Sequence, residues 1–468
     1  MTVRDTEFDL ASLRQALARR VAIPTESQDD ARRPELLRYL TDEIAPTLTR
    51  LGFSCVLWDN PVGDAPPFLF AQRIEDPKLA TVLMYAHGDV VRGYDDQWRK
   101  AASPWTLEEN GNRWYGRGTA DNKGQHSINL AALEHVLATR GALDCNVKWL
   151  FEMGEEIGSP GLRAICERHA DALAADVFLA SDGPRVRADT PTLFLGSRGC
   201  INFTLKCDLR DGGHHSGNWG GLLANPGTIL ANAIASLVDS RGRILVEALR
   251  PPPIPASVRR SLASIEPGEP DGPEIDGDWG EPGLTSAERV FGYNALEVLA
   301  FETGNPEHPV NAIPPRARAT LQLRFVAGCD PDVIIPALRA HLDAHGFANV
   351  RVDRDRAEVM HATRLDPDHP WVRFAAASIE RTTGKAAAIL PNIGGSLPND
   401  CFAELLGLPT LWVPHSYPAC SQHAPDEHLL VDVAAEGVKM VVGLFEDIPD
   451  YAASASRDLL AACNAASS

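Results

Sequence analysis

The sequence predicts an α/β domain with a mostly parallel sheet flanked by helices, interrupted by a smaller α+β domain of ferredoxin-like type. Three observations carry that reading. Apolar runs of strand length alternate with amphipathic helical stretches between residues 81 and 180. The pattern changes to two-residue alternation after Pro191 and returns to the α/β style near Asp366. A chain of 468 residues also exceeds what one ordinary core holds, so more than one domain is expected. The expected boundaries are 1–193 and 365–468 for the two parts of the α/β domain, and 194–364 for the inserted one.

The elements follow in order. Phe8, Leu10, Leu13 and Leu17 recur at helical spacing, and residues 31–51 continue in that style. Residues 81–86 (TVLMYA) are a buried strand, 124–140 a helix with Leu130, Leu133, Val136 and Leu137 on one face, and 145–151 (CNVKWLF) a strand. A helix at 161–169 and a strand at 176–180 (DVFLA) complete a β-α-β-α-β order. Residues 192–195 and 200–207 then alternate like antiparallel strands, and a helix is expected at 226–238. Pro, Gly, Glu and Asp crowd residues 250–282, which read as an exposed elaboration of the inserted domain with few core residues. Alternation at 317–326, a helix at 330–345 and a strand at 350–359 complete that domain. A helix at 371–381 and a strand at 409–413 restore the first style.

Composition narrows the function class. Hydrophobic residues make up 44% and charged residues 23%, and 44 Lys+Arg against 63 Asp+Glu give a net charge of −19. That balance argues against nucleic acid or an anionic membrane as partner. No apolar run is long enough to span a bilayer, and the first residues do not resemble a signal peptide. The nine cysteines are scattered without a C-x-x-C pair, so a reducing, cytoplasmic setting is expected.

Chemistry concentrates where strands end. His87 follows residues 81–86, Glu155 and Glu156 follow 145–151, Asp182 follows 176–180, and His423 lies in the loop after 409–413. Open α/β sheets place ligands at the carboxyl ends of their strands. With Asp121, these residues offer two imidazoles and three carboxylates, plus a spare glutamate. Zinc-like ions take these donors, and two ions sharing a water bring its pKa toward neutrality. Asp89, two residues beyond His87, is placed to fix that imidazole's tautomer. Glu155, beside the ligand Glu156, is placed to take the proton of an attacking water. The glycines at 154, 158 and 161 do not make a phosphate loop, because two glutamates within it would repel phosphate. Neither G-x-S-x-G nor H-E-x-x-H occurs. Trp98, Trp105 and Trp114 are expected to pack, and Arg198 to serve a hinge or interdomain contact.

An ordered set of motifs now carries a resemblance. AHGDV (86–90), WTLEENGNRWYGRGTADNKG (105–124), FEMGEEIGSPGL (151–162), SDGP (181–184), GSRG (196–199), HHSGNWGG (214–221), NAIP (311–314), GGSLP (394–398) and QHAPDE (422–427) span nearly the whole chain. Together they resemble the carnosinase-like branch of the lid-domain dinuclear metallopeptidases. That family also includes glutamate carboxypeptidase, acetylornithine deacetylase and succinyl-diaminopimelate desuccinylase. The resemblance implies two divalent ions per subunit, zinc first, with manganese or cobalt also suited. His87 and Asp182 would hold one ion, Glu156 and His423 the other, and Asp121 would bridge. Glu155 would be the general base and Asp89 the orienting residue. A cis bond at Asp121–Asn122 is implied too. Asn122 stands where near relatives carry aspartate, which removes a charge without barring activity. The inserted domain becomes a lid and dimerisation domain, and His215 acts in trans from the other subunit of a homodimer on the oxyanion. Asn311, Arg324 and Ser396 would contact substrate. The extra Gly212-Gly213 leaves the path of the His215 loop open. The implied reaction is hydrolysis of a dipeptide or short peptide, with an N-acyl amino acid as the alternative substrate.

Overall fold

The structure, a computed structural model, describes residues 8–268, 273–354 and 359–466. Its largest element is an eight-stranded sheet in the spatial order Ser54–Trp58, Phe68–Arg73, Asn146–Glu152, Thr81–His87, Val177–Ala180, Thr410–Trp412, Thr192–Phe194 and Ala388–Leu390. The four middle strands, from Asn146–Glu152 to Thr410–Trp412, run parallel. Antiparallel pairings flank them on both sides. Parallel strands are buried on both faces, which is why these segments read as continuous apolar runs. Alternate residues of Thr81–His87 serve the two faces. Val82, Met84 and Ala86 pack with the helices Leu10–Val21, Lys123–Arg140, Pro370–Thr383 and Val431–Ala466. Leu83 and Tyr85 pack on the other side with the helix Leu162–Arg168 and the turn Cys401–Leu405.

Local signals explain the helix ends. Asp9 accepts from the N–H groups of Ala11 and Ser12 and so caps the first helix. Residues 31–51 are helical as expected, with a π-helical middle at Tyr39–Ile44 between two α-helical stretches.

The second sheet has four antiparallel strands, ordered Ala295–Thr303, Arg316–Phe325, Gly199–Asp208 and Arg351–Arg354. The helices Pro226–Leu237 and Pro331–Ala344 share its core. The chain order is therefore β-α-β-β-α-β, which is ferredoxin-like. Sequence reading found three of these strands and missed Ala295–Thr303. That strand lies at the sheet edge, exposes Val298, Leu299 and Phe301, and is bulged between Val298 and Ala300, so it shows no in-out alternation. The strand expected at 350–359 is seen at Arg351–Arg354, and residues 355–358 lie outside the described residues.

Two readings need correction. Thr192–Phe194 was expected to begin the antiparallel set, but it belongs to the large sheet, parallel to Ala388–Leu390. Three residues are too few to display a periodicity. Residues 250–282 are not only an exposed elaboration of the lid. Their helix Ala256–Leu262 buries Val258 and Leu262 against Phe194 and Leu390, in the core on one face of the large sheet.

Two of the chain crossings between the sheets run side by side. Leu365 N–H donates to the Leu195 carbonyl at 2.7 Å, Thr363 N–H to Ser197 at 3.0 Å, and Cys200 N–H to Met360 at 3.3 Å. Arg198 sits in this ribbon, its guanidinium donating to the Arg324 carbonyl at 3.3 Å.

Because Leu262 ties the insertion to the large sheet, Leu262→Ala is expected to cost about 2–5 kcal/mol. The denaturant midpoint of tryptophan fluorescence reads this, and an unmoved midpoint would show that the helix contributes nothing to the core.

Candidate active site

The ligand candidates lie at the carboxyl ends of the four parallel strands. His87 is the last residue of its strand. Glu155 and Glu156 open a 3₁₀ turn three residues beyond the neighbouring strand. Asp182 stands two residues past Val177–Ala180, and His423 lies in the loop after Thr410–Trp412. Asp121 precedes the helix Lys123–Arg140, and its bond to Asn122 is cis. Gly124 must be glycine, since a Cβ there would stand 1.8 Å from the Thr119 carbonyl oxygen.

Asp121 turns one oxygen to each of two groups. Its Oδ1 is 3.0 Å from His87 Nε2, which is also 3.4 Å from Asp182 Oδ2. Its Oδ2 is 2.9 Å from His423 Nε2, which is 3.1 Å from Glu156 Oε2. Among the described residues these two triads, sharing Asp121, each gather donor atoms tightly enough for one metal ion. Asp182 Oδ2 and Glu156 Oε1 are buried without a hydrogen-bond partner. Buried carboxylate oxygens rarely stay unsatisfied, and a cation would satisfy both. The donor set therefore fits two divalent ions.

The electrostatics agree. Burial opposes a charge on His87, but Asp121, Asp182 and Asp89 together hold it protonated well above the usual histidine range. Hydrogen bonds to Asp121 and Glu156 raise His423 to about 11. Burial, then the charge of Asp121, pushes Glu156 up to about 7. Burial also lifts Glu155 well above the carboxylate range, with Glu156 and Asp182 adding to the effect and His87 opposing it. A field that pulls protons onto two imidazoles is one that would exchange them for metal cations.

Supporting residues fix this arrangement. Asp89 Oδ1 lies 3.4 Å from His87 Nδ1, and its two oxygens accept from the backbone N–H groups of Glu155 and Glu156 at 3.2 Å. Asn122 donates to the Ser181 carbonyl at 2.8 Å, a bond that an aspartate carboxylate could not make. Two further residues went unread in the sequence. Buried Glu427 accepts from Arg117 at 2.7 Å, Gly118 N–H at 3.1 Å, Ala120 N–H at 2.8 Å and Asp121 N–H at 3.1 Å. Gln125 donates to the carbonyls of Ala120 and Gly183 and accepts from His415 N–H, tying three loops together. QHAPDE includes Glu427, but its partners lie some 300 residues away and leave no local signal.

A cavity of about 1360 Å³ is lined by Asp121, Glu155, Asp182 and His423 together with Arg324 and Ser396. Arg324 Nη1 donates to Ser396 Oγ at 2.9 Å. Its Nε donates to Gln322 at 3.1 Å, and Gln322 in turn donates to Asn202 at 2.9 Å. Gln322 and Asn202 were also missed; they are register partners on adjacent strands and fix the guanidinium plane. His215 and Asn311 are not among the lining residues. They lie together, exposed, His215 in the strand pair His214–His215 and Ala312–Ile313 and Asn311 just before it, where Ser216 N–H donates to the Asn311 carbonyl at 2.9 Å. Trp98 and Trp114 are buried, and Trp105 donates to Asp95, so none of the three faces the cavity.

The fold and the paired ligand groups define a metal-dependent hydrolase of the peptidase type. The family model described as Peptidase family M20/M25/M40 matches residues 83–447, and the chain belongs to that family. It is 29% identical over 343 residues to a cysteinylglycine-S-conjugate dipeptidase of Corynebacterium striatum, covering 72% of this chain and 71% of that one. It is 30% identical over 324 residues to the Beta-Ala-His dipeptidase of Mus musculus, covering 65% of this chain and 63% of the relative, just under two thirds of it. The crystal structure of human carnosine dipeptidase 1 superposes with a TM-score of 0.76 at 24% identity, covering 94% and 96% of the two chains. No helix among the described residues is long and apolar enough to cross a membrane.

Glu427→Gln sets an amide N–H₂ against donors that now meet a carboxylate. Metal affinity is expected to fall about 10–100-fold, measured by competition with a chromophoric chelator. Unchanged affinity would show that the Asp121 loop holds its shape without this carboxylate.

Proposed function

We propose that the chain is a dinuclear metal-dependent dipeptidase. The observation that carries the reading is Asp121, with one oxygen facing each ligand triad and Glu155 lining the same cavity as the Arg324–Ser396 pair. The substrate class is supported by the dipeptidase names of the relatives. Those names favour a dipeptide over an N-acyl amino acid, the alternative that the same site would accept.

His87, Asp121 and Asp182 would hold one ion, and Asp121, Glu156 and His423 the other. Histidine and carboxylate donors suit zinc first, then manganese or cobalt. Two such ions, when bound, polarise the scissile carbonyl and lower the pKa of a water. Glu155 takes the proton from the attacking water and passes it to the leaving amine. Asp89 keeps the His87 ring oriented and fixes the start of the Glu155–Glu156 turn. Arg324 grips the free carboxylate of the substrate through its planar fork, with Ser396 beside it.

His215 and Asn311 complete the site from the second subunit of a homodimer, His215 stabilising the oxyanion. Supporting this, both are exposed and lie outside the cavity lining of their own chain. The edge strand Ala295–Thr303, with Val298, Leu299 and Phe301 exposed, is an unpaired apolar edge of the kind that pairs with a second copy. Residues 194–364, apart from Phe194 and the helices Ala256–Leu262 and Ser286–Phe291 packed on the large sheet, would form the lid, with the paired crossings near residues 195–200 and 360–365 at its root. We place the enzyme in the cytoplasm, whose reducing conditions suit cysteines scattered without paired spacing.

Glu155→Ala is expected to keep its metal and lose about 10²–10⁴-fold in kcat. Metal content and amino-acid release from dipeptides, after stripping and reloading with zinc or manganese, check both halves; normal turnover would sink the assignment. Mixing His215→Ala with Glu155→Ala protein should restore one working site per mixed dimer. Absence of recovery after confirmed subunit exchange would place the oxyanion group within a single chain.

A further inference from the structure

The stretch Ile393-Gly394-Gly395-Ser396 runs from the metal-ligand end of the cavity to the guanidinium end. At its start, Ile393 packs where a side chain on Gly183 would be: a Cβ there would lie 2.2 Å from Ile393 Cδ1, and Gly183 directly follows Asp182. At its end, Ser396 Oγ meets Arg324 Nη1 at 2.9 Å. Three residues of extended chain span at most about 11 Å. The two ends of the stretch are therefore no further apart along the backbone than about three extended residues.

The middle of this stretch is bare. A Cβ on Gly395 would meet nothing within 4 Å. One on Gly394 would stand 3.5 Å from Val290 Cγ1 and 3.8 Å from Phe291 Cε1, so these two side chains back the glycine floor. Both come from the short helix Ser286–Phe291, held by a Thr285–Glu288 capping box and by the Arg259–Glu288 ion pair. Phe291 packs into the core of the large sheet with the insertion residues Val258 and Leu262. Phe194, Val290, Phe291, Leu390, Ile393 and Leu397 all line the cavity.

The geometry of an amide substrate then dictates what lies here. This step rests on the proposed function, in which the scissile carbonyl sits at the Asp182 end and the free carboxylate at Arg324 and Ser396. The α-carbon joining the leaving nitrogen to that carboxylate must lie between them, over Gly394 and Gly395. Its side chain projects from the midpoint of the stretch. We infer that Ile393, Val290 and Phe291 form an apolar subsite for the side chain of the carboxylate-bearing residue, and that the enzyme selects leucine- or phenylalanine-like residues there over glycine and over charged residues. An apolar side chain gains by leaving water against these walls, whereas a charged one finds no polar side chain on Ile393, Val290 or Phe291 to pair with.

The test uses the metal-reloaded full-length protein and kcat/KM for Ala-Leu, Ala-Phe, Ala-Gly and Ala-Asp. Ala-Leu and Ala-Phe are expected to exceed Ala-Gly and Ala-Asp by at least about 10-fold. Val290→Trp, which fills the space, should lower the Ala-Leu to Ala-Gly ratio by at least about 10-fold. Val290→Lys should raise Ala-Asp relative to Ala-Leu, and it serves if the tryptophan variant does not fold. Equal rates across the four substrates, or ratios that neither variant moves, would overturn the subsite. N-acetyl-leucine and N-acetyl-glycine run beside the dipeptides keep the two readings apart. If only acyl amino acids are cleaved, the dipeptidase reading fails while the leucine-to-glycine ratio still reads the subsite. If nothing is cleaved, calorimetric titration of the metal-loaded protein with leucine and with glycine decides. Tighter leucine binding that Val290→Trp abolishes supports the subsite, and equal binding refutes it.

Discussion

The carboxylate of Asp121 is the contact on which the rest of this molecule turns. It must present one oxygen to His87 and the other to His423, although the two histidines lie 336 residues apart in the chain. Nothing in a loop would hold a carboxylate in that attitude unaided. Glu427 supplies the restraint by accepting from the backbone on both sides of Ala120, and Gln125 ties the same loop to the loops after two strands. Each restraint is a buried polar group with its bonds made, the condition under which such groups add order. The ligand atoms themselves break that rule. Asp182 Oδ2 and Glu156 Oε1 are left without a hydrogen-bond partner, which a cation would supply.

The large sheet exists to bring these loops to one edge. Four parallel strands end side by side, and the candidate residues follow them: His87, Glu155–Glu156 and Asp182 at or just past the strand ends, and His423 further along the loop after Trp412. Helices on both faces bury the strands, so the positions of their ends are set by core packing and not by the loops. The second sheet adds Arg324 from its own face, braced by Gln322 and Asn202, to the cavity that the ligands line.

Much of this was legible in the sequence, for identifiable reasons. A buried parallel strand is an unbroken apolar run, and the residue after it is exposed to the cavity, so His87, Glu155, Glu156 and Asp182 announced themselves by position. The cis bond at Asp121–Asn122 followed from the family resemblance and is present. What escaped notice had no local signature. Glu427 and Gln125 act on backbone groups brought close only by folding. Gln322 and Asn202 look like ordinary polar residues on the face of an alternating strand. Ala295–Thr303 hid because a bulge and an apolar exposed edge erase the period of two. The helix Ala256–Leu262 hid inside a Pro- and Gly-rich stretch whose composition resembles surface, though Val258 and Leu262 are buried.

The ribbon joining the two sheets has a mechanical meaning. Its two segments are cross-linked by backbone hydrogen bonds at Leu195–Leu365 and Ser197–Thr363. A two-strand strap of this kind holds its two chain segments at a fixed spacing. The four strands beyond it share one core. Arg324 is placed by two attachments at once: the strap, where Arg198 bonds its carbonyl, and the helix Ala256–Leu262 packed against the large sheet.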